Sequence, residues 1–320
     1  MTDEWVNTLM SRILITTSSF GKDDSSPLNL LKEAGYETII NPYRRKLTEA
    51  EVLDLLLEVK PVGMIAGVEP LTARVLQQAK DLKVISRCGI GLDNVDLNAA
   101  RSLGITVRNT PDAPTQAVAE LTIGLIFNLL RRISFLDREL RKGNWTKEMG
   151  SLVRGKKVGI IGLGRIGKRV AEMLLALGAK ISGTDVQADS VWLQTNQVPL
   201  VSLEELLQQS EILCLHVSHT VSNKLIIGKK EIEAMPKGAC LINTSRGEVV
   251  DHDALYSMLN DGHLSGAALD VFDHEPYSGP LTGLDNVILT PHIGSYAREA
   301  RVDMEIQAAE NLIEGLKRKD

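Results

Sequence analysis

The chain has 320 residues, with 36 lysines and arginines against 41 aspartates and glutamates, so its formal net charge is −5. Hydrophobic residues make up 43% and charged residues 24%, which excludes a disordered or fibrous chain. The mildly acidic balance argues against nucleic-acid binding, because a phosphate-binding surface needs clustered lysine and arginine. At roughly 150 residues per domain, the length predicts two domains.

Three cysteines, Cys88, Cys214 and Cys240, are far apart and match neither a disulfide framework nor a metal-binding spacing. We therefore expect a reducing compartment and no metal site. The N-terminal residues lack the basic-then-apolar pattern of a signal peptide. The most apolar stretch, Leu121–Leu130, is about half the length that a membrane span needs. These features predict a soluble, cytoplasmic protein that does not enter a membrane.

In the first third of the chain, short apolar runs alternate with helical segments. The predicted strands are Arg12–Thr17, Glu37–Ile40, Val62–Ala66, Val84–Ser86 and Ile105–Val107. The predicted helices lie around Leu28–Ala34, Glu49–Glu58, Ala73–Lys80 and Leu97–Ser102. Near-continuous runs of valine and isoleucine separated by helices are typical of a parallel sheet that is covered on both faces.

One long helical period then runs from Thr115 to Gly143, after prolines that mark a boundary at Pro111–Pro114. Alternation resumes afterwards, and the chain closes with a predicted helix, Arg298–Lys317. The later predicted strands are Lys157–Ile161, Lys180–Thr184, Ile212–Val217, Ala239–Asn243, Ser265–Leu269 and Val287–Thr290. With a second boundary at Pro291–Ser295, we predict an α/β protein in which a doubly wound parallel sheet (residues 113–295) is inserted into a smaller α/β domain (1–112 plus 296–320).

The sequence VGIIGLGRIGKRVAEMLLALGAKISGTD contains Gly162, Gly164 and Gly167 in the G-x-G-x-x-G spacing. A predicted strand precedes these glycines and a predicted helix, Arg165–Leu177, opens on them, so the context is that of a dinucleotide site. Asp185 follows the next strand, where a carboxylate binds ribose hydroxyls and repels a 2′-phosphate. The motif therefore predicts NAD rather than NADP.

Three further segments place a polar residue just after a predicted strand. Arg246 lies in NTSRGEVVD, Glu275 in DVFDHEP and His292 in TPHIGS. Since ligands of open parallel sheets bind outside the carboxyl ends of the strands, these side chains are candidates for chemistry. A histidine titrates near neutrality and suits a base, a carboxylate can orient it, and the fork of arginine donors can hold an anionic substrate.

These motifs, in this order and approximate spacing, resemble those of the D-isomer-specific 2-hydroxyacid dehydrogenases. The resemblance covers nearly the whole chain and implies a Rossmann-type NAD domain, a flavodoxin-like substrate domain and the catalytic set Arg246, Glu275 and His292. It also implies a homodimer, built on the segment Thr115–Gly143. The further cofactor-binding residues that it implies are Arg165, Ile166, His216, Val217, Thr244, Ser245, Asp270 and Gly294.

The remaining histidines have a simpler interpretation. His216 lies within the apolar run LCLHV and, apart from the resemblance, is expected to be a hydrogen-bonded core residue. Four others lie in predicted loops or helix ends and are expected to be exposed: His219, His252, His263 and His274.

The loop Cys88-Gly89-Ile90-Gly91 is a candidate for the substrate carboxylate, because glycines let backbone N–H groups face an anion. The resemblance assigns this role to Gly89 and Ile90, and it places Arg87 where it contacts a substrate phosphate. Cys88 is expected to be a packing residue. The substrate implied is 3-phosphoglycerate, although Ala66 stands where a second phosphate-binding arginine is expected and Arg45 is a possible replacement.

Two other functions stay open at the level of sequence. One is reduction of glyoxylate, hydroxypyruvate or another small anionic 2-oxo acid. The other is an NAD-sensing protein like the corepressors that share this fold.

Overall fold

The computed structural model describes residues 11–217 and 225–318. By its internal contacts the chain divides into two compact units, Met1–Pro114 with Ser295–Asp320, and Thr115–Gly294. Within the described ranges, every helix is too short or too polar to span a bilayer.

The first unit is built on a five-stranded parallel sheet in the order β2-β1-β3-β4-β5, which is the flavodoxin-like order. Its strands are β1 (Arg12–Ile15), β2 (Glu37–Ile40), β3 (Gly63–Ala66), β4 (Val84–Arg87) and β5 (Thr106–Asn109). Its helices are α1 (Ser26–Glu33), α2 (Glu49–Val59), α3 (Ala73–Gln78), α4 (Leu97–Ser102) and the C-terminal α12 (Arg298–Lys317).

Both faces of this sheet are covered, which explains why its central strands are apolar throughout. Alternate side chains point to opposite faces: Leu14 and Met64 belong to one buried cluster, whereas Ile13 and Ile65 belong to the other. Helix α12 approaches β4 closely at Gly315, where an added Cβ would lie 2.9 Å from a methyl group of Val84.

The second unit contains a six-stranded parallel sheet in the order β11-β10-β9-β8-β6-β7. Its strands are β6 (Lys157–Ile161), β7 (Lys180–Thr184), β8 (Ile212–Leu215), β9 (Cys240–Asn243), β10 (Gly266–Leu269) and β11 (Val287–Leu289). Beyond β7, a single parallel bridge joins Gly183 to Leu200. Counting this bridge as a third strand gives the Rossmann order 3-2-1-4-5-6, with one more strand at the edge.

Helices cover this sheet as the alternating pattern predicts. They are α5 (Thr115–Arg131), α6 (Ile133–Arg141), α7 (Arg165–Ala176), α8 (Ser190–Asn196), α9 (Leu203–Gln209), α10 (Lys229–Glu233) and α11 (His252–Asn260), with short 3₁₀ turns at Gly247–Val249 and Pro280–Gly283.

The prediction of one long helix from Thr115 to Gly143 is wrong. Arg132 adopts a left-handed conformation, with φ of 51°, and divides the segment into α5 and α6. The side chain of Asn128 receives the backbone N–H of Ser134 at 2.8 Å and stabilises the break. The break carried no sequence signal, because neither glycine nor proline stands there.

Candidate active site

The glycine loop of the second unit connects β6 to α7. Gly162 has a φ of 93°, and a Cβ there would lie 2.5 Å from the carbonyl oxygen of His216. A Cβ on Gly167 would lie 1.9 Å from the carbonyl oxygen of Gly162, whereas one on Gly164 would meet no atom within 4 Å. Two glycines are therefore required by the fold of the turn, and the third leaves open space at the start of α7.

The start of α7 and the end of β7 provide the polar groups of this loop. Gly164 is the N-cap of α7 and gives no side-chain cap, and the next residues are the exposed Arg165 and the half-buried Ile166. At the end of β7, Asp185 Oδ2 accepts the backbone N–H of Leu163 at 2.6 Å. Uncapped helical N–H groups suit a pyrophosphate and the carboxylate suits ribose hydroxyls, so these residues fit a dinucleotide.

His216 differs from its simpler interpretation. Strand β8 ends at Leu215, so His216 follows the strand and is only half-buried. Its Nδ1 lies 3.4 Å from Thr244 Oγ1, while its buried Nε2 has no hydrogen-bond partner among the described residues. Burial lowers the pKa of His216 to about 4, so the ring is neutral at pH 7. A hydrogen-bonded core histidine would have partners for both ring nitrogens, whereas in the described part of the chain His216 has one only for Nδ1. His216 lies beside the glycine loop and is followed by the half-buried Val217.

The loop after β9 is organised by a buried asparagine that sequence reasoning missed. Asn243 Oδ1 accepts the backbone N–H of Ser245 at 3.0 Å, and its Nδ2 donates to the carbonyl oxygen of Arg246 at 2.7 Å. Thr244 and Ser245 are buried, whereas Arg246 is half-buried and donates from Nη1 to the carbonyl oxygen of Ser245 at 2.7 Å. Asn243 thus sets the backbone path that leads to Arg246. Its position in the NTSRG run is the signal that could have indicated it.

Asp270, at the end of β10, holds the loop that follows β11. Its carboxylate accepts the hydroxyl of Thr290 at 2.6 Å and the backbone N–H groups of Ile293 and Gly294, both at 2.8 Å. Asp270 is 1% exposed, and its burial raises its pKa against the opposing effect of these bonds. The resemblance implied a contact with the cofactor, but the described contacts of this carboxylate position the segment on either side of His292.

Glu275 and His292 form a hydrogen-bonded pair. His292 Nδ1 lies 2.9 Å from Glu275 Oε2, and Glu275 Oε1 accepts the backbone N–H of Phe272 at 3.1 Å. His292 has a φ of 53° and a side chain that is 52% exposed. A bond from Nδ1 to a carboxylate sets the tautomer and leaves the other ring nitrogen, Nε2, for a ligand.

Six loops therefore meet at one edge of the sheet. The strands are parallel, so the residues that follow their carboxyl ends share that edge. Gly162, Asp185, His216, Arg246, Asp270 and His292 each come after a different strand of it.

In the first unit, the loop after β4 departs in part from the prediction. The N–H of Gly89 donates to Thr110 Oγ1 at 2.8 Å, so it is already bonded and does not face an anion. Arg87 Nη1 lies 1.5 Å from where a Cβ of Gly89 would be, so the guanidinium packs directly over the loop. The carbonyl of Ile90 accepts Asn109 Nδ2 at 2.7 Å. Of the two predicted amides, only that of Ile90 stays a candidate.

The cysteines are packing residues in the described structure. All three are buried and unpaired, and burial raises the pKa of Cys88 to about 11. Residues 11–217 and 225–318 contain no group of three or more histidine, cysteine, aspartate or glutamate side chains that could hold a metal ion.

Comparison with known proteins decides the family. Residues 123–294 match the family model described as "D-isomer specific 2-hydroxyacid dehydrogenase, NAD binding domain". The chain belongs to the D-isomer specific 2-hydroxyacid dehydrogenase family. The matched range lies within the second unit and includes the glycine loop and Asp185, so this unit is the NAD-binding domain of the dehydrogenase fold.

The relatives of this chain are named for more than one activity. It is 40% identical to a D-3-phosphoglycerate dehydrogenase of Archaeoglobus fulgidus over 75% of its own length, but spans only 46% of that protein. It is 38% identical to a glyoxylate reductase of Aeropyrum pernix, over 87% of its own length and 82% of the relative's. A D-lactate dehydrogenase of Aquifex aeolicus, solved with NAD and lactic acid, is 29% identical with a TM-score of 0.83, and the match covers 96% of each chain.

Proposed function

We infer that this chain is an NAD-dependent oxidoreductase that transfers a hydride between the nicotinamide and C2 of a D-2-hydroxy acid or 2-oxo acid. The observation that carries the proposal is the Glu275–His292 pair, 2.9 Å apart, at the edge of the sheet that bears the glycine loop. Bound NAD supplies the hydride acceptor, so the protein has to manage only the proton and the anionic substrate.

The proton is assigned to His292. In oxidation, its Nε2 takes the proton of the substrate hydroxyl, and in reduction it returns a proton to the oxygen of the 2-oxo acid. The carboxylate of Glu275, bonded to Nδ1, stabilises the imidazolium that forms and keeps the ring in one tautomer.

Arg246 is the candidate of the NAD-binding unit for the substrate carboxylate, and the backbone N–H of Ile90 is the candidate of the first unit. A guanidinium offers several N–H donors in a planar fork, which matches the two oxygens of a carboxylate. Arg246 stays half-buried on the loop that Asn243 holds, so the charge acts where water is partly excluded.

Two substrates are supported by different observations. Arg87, which packs over the loop after β4, favours 3-phosphoglycerate, because its charge complements a phosphate. Glyoxylate or hydroxypyruvate is favoured because Ala66 offers no cationic side chain for a phosphate. Arg45, the candidate replacement, forms an ion pair instead, with its Nη2 2.6 Å from Glu51 Oε1. We propose 3-phosphoglycerate, the substrate of serine biosynthesis, as the first candidate and the small 2-oxo acids as the second.

The test is a comparison of kcat/KM for 3-phosphoglycerate with NAD and for glyoxylate, hydroxypyruvate and pyruvate with NADH. A preference for 3-phosphoglycerate supports the first substrate, and a preference for glyoxylate or hydroxypyruvate supports the second. Tight binding of NADH without turnover of any 2-oxo acid would contradict the enzymatic proposal and support an NAD-sensing protein.

We also propose that the chain is a homodimer in a reducing compartment such as the cytoplasm. Several large apolar side chains between residues 133 and 152 are exposed, and their burial against a second copy would remove apolar surface from water. They are Ile133, Leu140, Trp145, Met149 and Leu152. Sedimentation equilibrium gives the oligomeric state directly, and a monomer at micromolar concentration would contradict the homodimer. The three buried thiols are compatible with the compartment.

A further inference from the structure

His252 contradicts the expectation that it is exposed. It begins α11, and its side chain is only 8% exposed. Its Nδ1 lies 3.1 Å from Oδ1 of Asp273. An ionised carboxylate can only accept, so the proton of this bond is carried by the imidazole.

Two aromatic rings fix the imidazole in place. His252 packs edge-on against Phe272, with ring centres 6.1 Å apart, and against Tyr277, at 5.9 Å. Phe272 and Tyr277 in turn stack on each other at 4.5 Å. The ring therefore has little freedom to leave the carboxylate.

The bond joins α11 to the segment that carries Glu275. Asp273 lies two residues before Glu275, and the preceding residue, Phe272, donates its N–H to the Glu275 carboxylate at 3.1 Å. A Cβ on Gly247, next to Arg246, would lie 1.9 Å from the carbonyl carbon of Phe272. The peptide between Phe272 and Asp273 thus touches the loops of both Arg246 and Glu275.

Packing alone does not account for an imidazole at this position. Nε2 of His252 is buried and has no hydrogen-bond partner in the part of the chain that the structure describes. An apolar ring would fill the same space beside Phe272 and Tyr277 without leaving a polar atom unpaired. What the histidine adds is the bond from Nδ1 to Asp273.

We propose that His252 is a positioning residue for the Glu275–His292 pair. By holding Asp273 it fixes residues 272–277, and Glu275 then stays bonded to Nδ1 of His292. The effect on turnover rests on the function proposed above, whereas the effect on the geometry of His292 does not.

The test compares His252→Phe, which keeps a ring but loses the N–H, with His252→Asn, whose side-chain amide can restore a donor near the place of Nδ1. His263→Phe is the matched control, because His263 lies in the same unit and contacts the carbonyl oxygen of Ile232. We expect His252→Phe to lower kcat for 2-oxo acid reduction about tenfold, with NADH binding unchanged, because the proton donor is less well held. The kcat of His252→Asn should stay within about threefold of the parent value, and the kcat of His263→Phe should equal the parent value.

A pH profile separates positioning from simple packing. With Glu275 less firmly bonded, the imidazolium of His292 is less stabilised, so the alkaline limb of kcat/KM for reduction should move to lower pH in His252→Phe. The other charged groups near this segment or near His292 are common to all the variants; they are Asp251, Asp253, Asp270, Asp273 and His274.

An unchanged pH limb in His252→Phe would overturn the proposal, and so would an equal loss of activity in the Phe and Asn variants with equally lowered thermal midpoints. If the parent reduces no 2-oxo acid, the proposed function fails, but NMR titration of the His292 ring still tests whether His252 positions the Glu275–His292 pair. Positioning requires a lower titration midpoint in His252→Phe, and an unchanged midpoint overturns it.

Discussion

At the carboxyl edges of both sheets, buried polar side chains hold the loops, but the two edges differ in what these loops expose. In the NAD-binding unit, buried Asn243 and Asp270 hold loops whose candidate side chain stays accessible, and the side chain of His292 is 52% exposed. In the first unit, buried Glu69 accepts the N–H of Gly67 at 3.0 Å and is 1% exposed. The difference teaches that one edge exposes the side chains proposed for the chemistry, whereas at the other edge a buried acid holds the backbone.

The largest effect is expected when the side chain of His292, the proposed proton carrier of the NAD-binding unit, is replaced. His292→Asn should lower kcat by about 10²–10⁴-fold, because a positioned proton donor contributes that much, while the dissociation constant of NADH stays unchanged. Steady-state kinetics and a fluorescence titration of NADH measure the two quantities. Near-normal turnover in the variant would show that the exposed side chain of this edge is not the proton carrier.

The next effect concerns cofactor choice at the same edge. Asp185→Ser removes a carboxylate that repels a 2′-phosphate, so the ratio of kcat/KM for NAD to that for NADP should fall about 10–100-fold. The variant also loses the bond to the N–H of Leu163, so the thermal midpoint has to be measured alongside. An unchanged ratio would place cofactor selection elsewhere in the chain.

A smaller effect tests whether the first edge contributes a charged side chain at all. Arg87→Ala should weaken kcat/KM for a phosphorylated substrate about tenfold more than for glyoxylate, because only the phosphate needs the guanidinium. An equal loss for both substrates would mean that Arg87 acts by packing over Gly89. The edge would then act through its backbone alone.

The smallest effect concerns the buried acid of the first edge. Burial raises the pKa of Glu69 although the hydroxyl of Thr16 and the N–H of Gly67 oppose this. The stability that depends on the bound proton is therefore present at low pH and lost as the pH rises through the raised pKa. Glu69→Gln stays neutral, so between pH 5 and pH 8 its free energy of unfolding should fall less than that of the parent.

Urea unfolding at the two pH values measures this difference, and the exposed Glu58→Gln serves as the control. The same difference from the parent in both variants, or no difference in Glu69→Gln, would mean that the buried edge does not titrate as inferred.

The sequence predicted the elements well where a local rule applied. The apolar runs indicated the parallel strands, and β2, β6 and β7 begin and end as predicted. The spacing of glycines after a strand indicated the dinucleotide loop, and the family is confirmed by the match over residues 123–294. The segments NTSRG, DVFDHEP and TPHIGS led to Arg246, Glu275 and His292 because each follows a strand.

Other features depended on contacts between residues that are distant in sequence. Asp270 accepts the N–H of Gly294 from 24 residues away, and Thr110 accepts the N–H of Gly89 from 21 residues away. The side chain of His252 is only 8% exposed, since it packs against Phe272 and Tyr277.

The sequence by itself thus determined the fold class, the cofactor loop and the residue types of the candidate site, since periodicity and short motifs are local properties. Only the tertiary structure decided which backbone amides are already bonded, which carboxylates hold loops and which histidine is buried. The physical reason is that most buried polar groups are hydrogen-bonded, and the packing of the whole unit selects their partners.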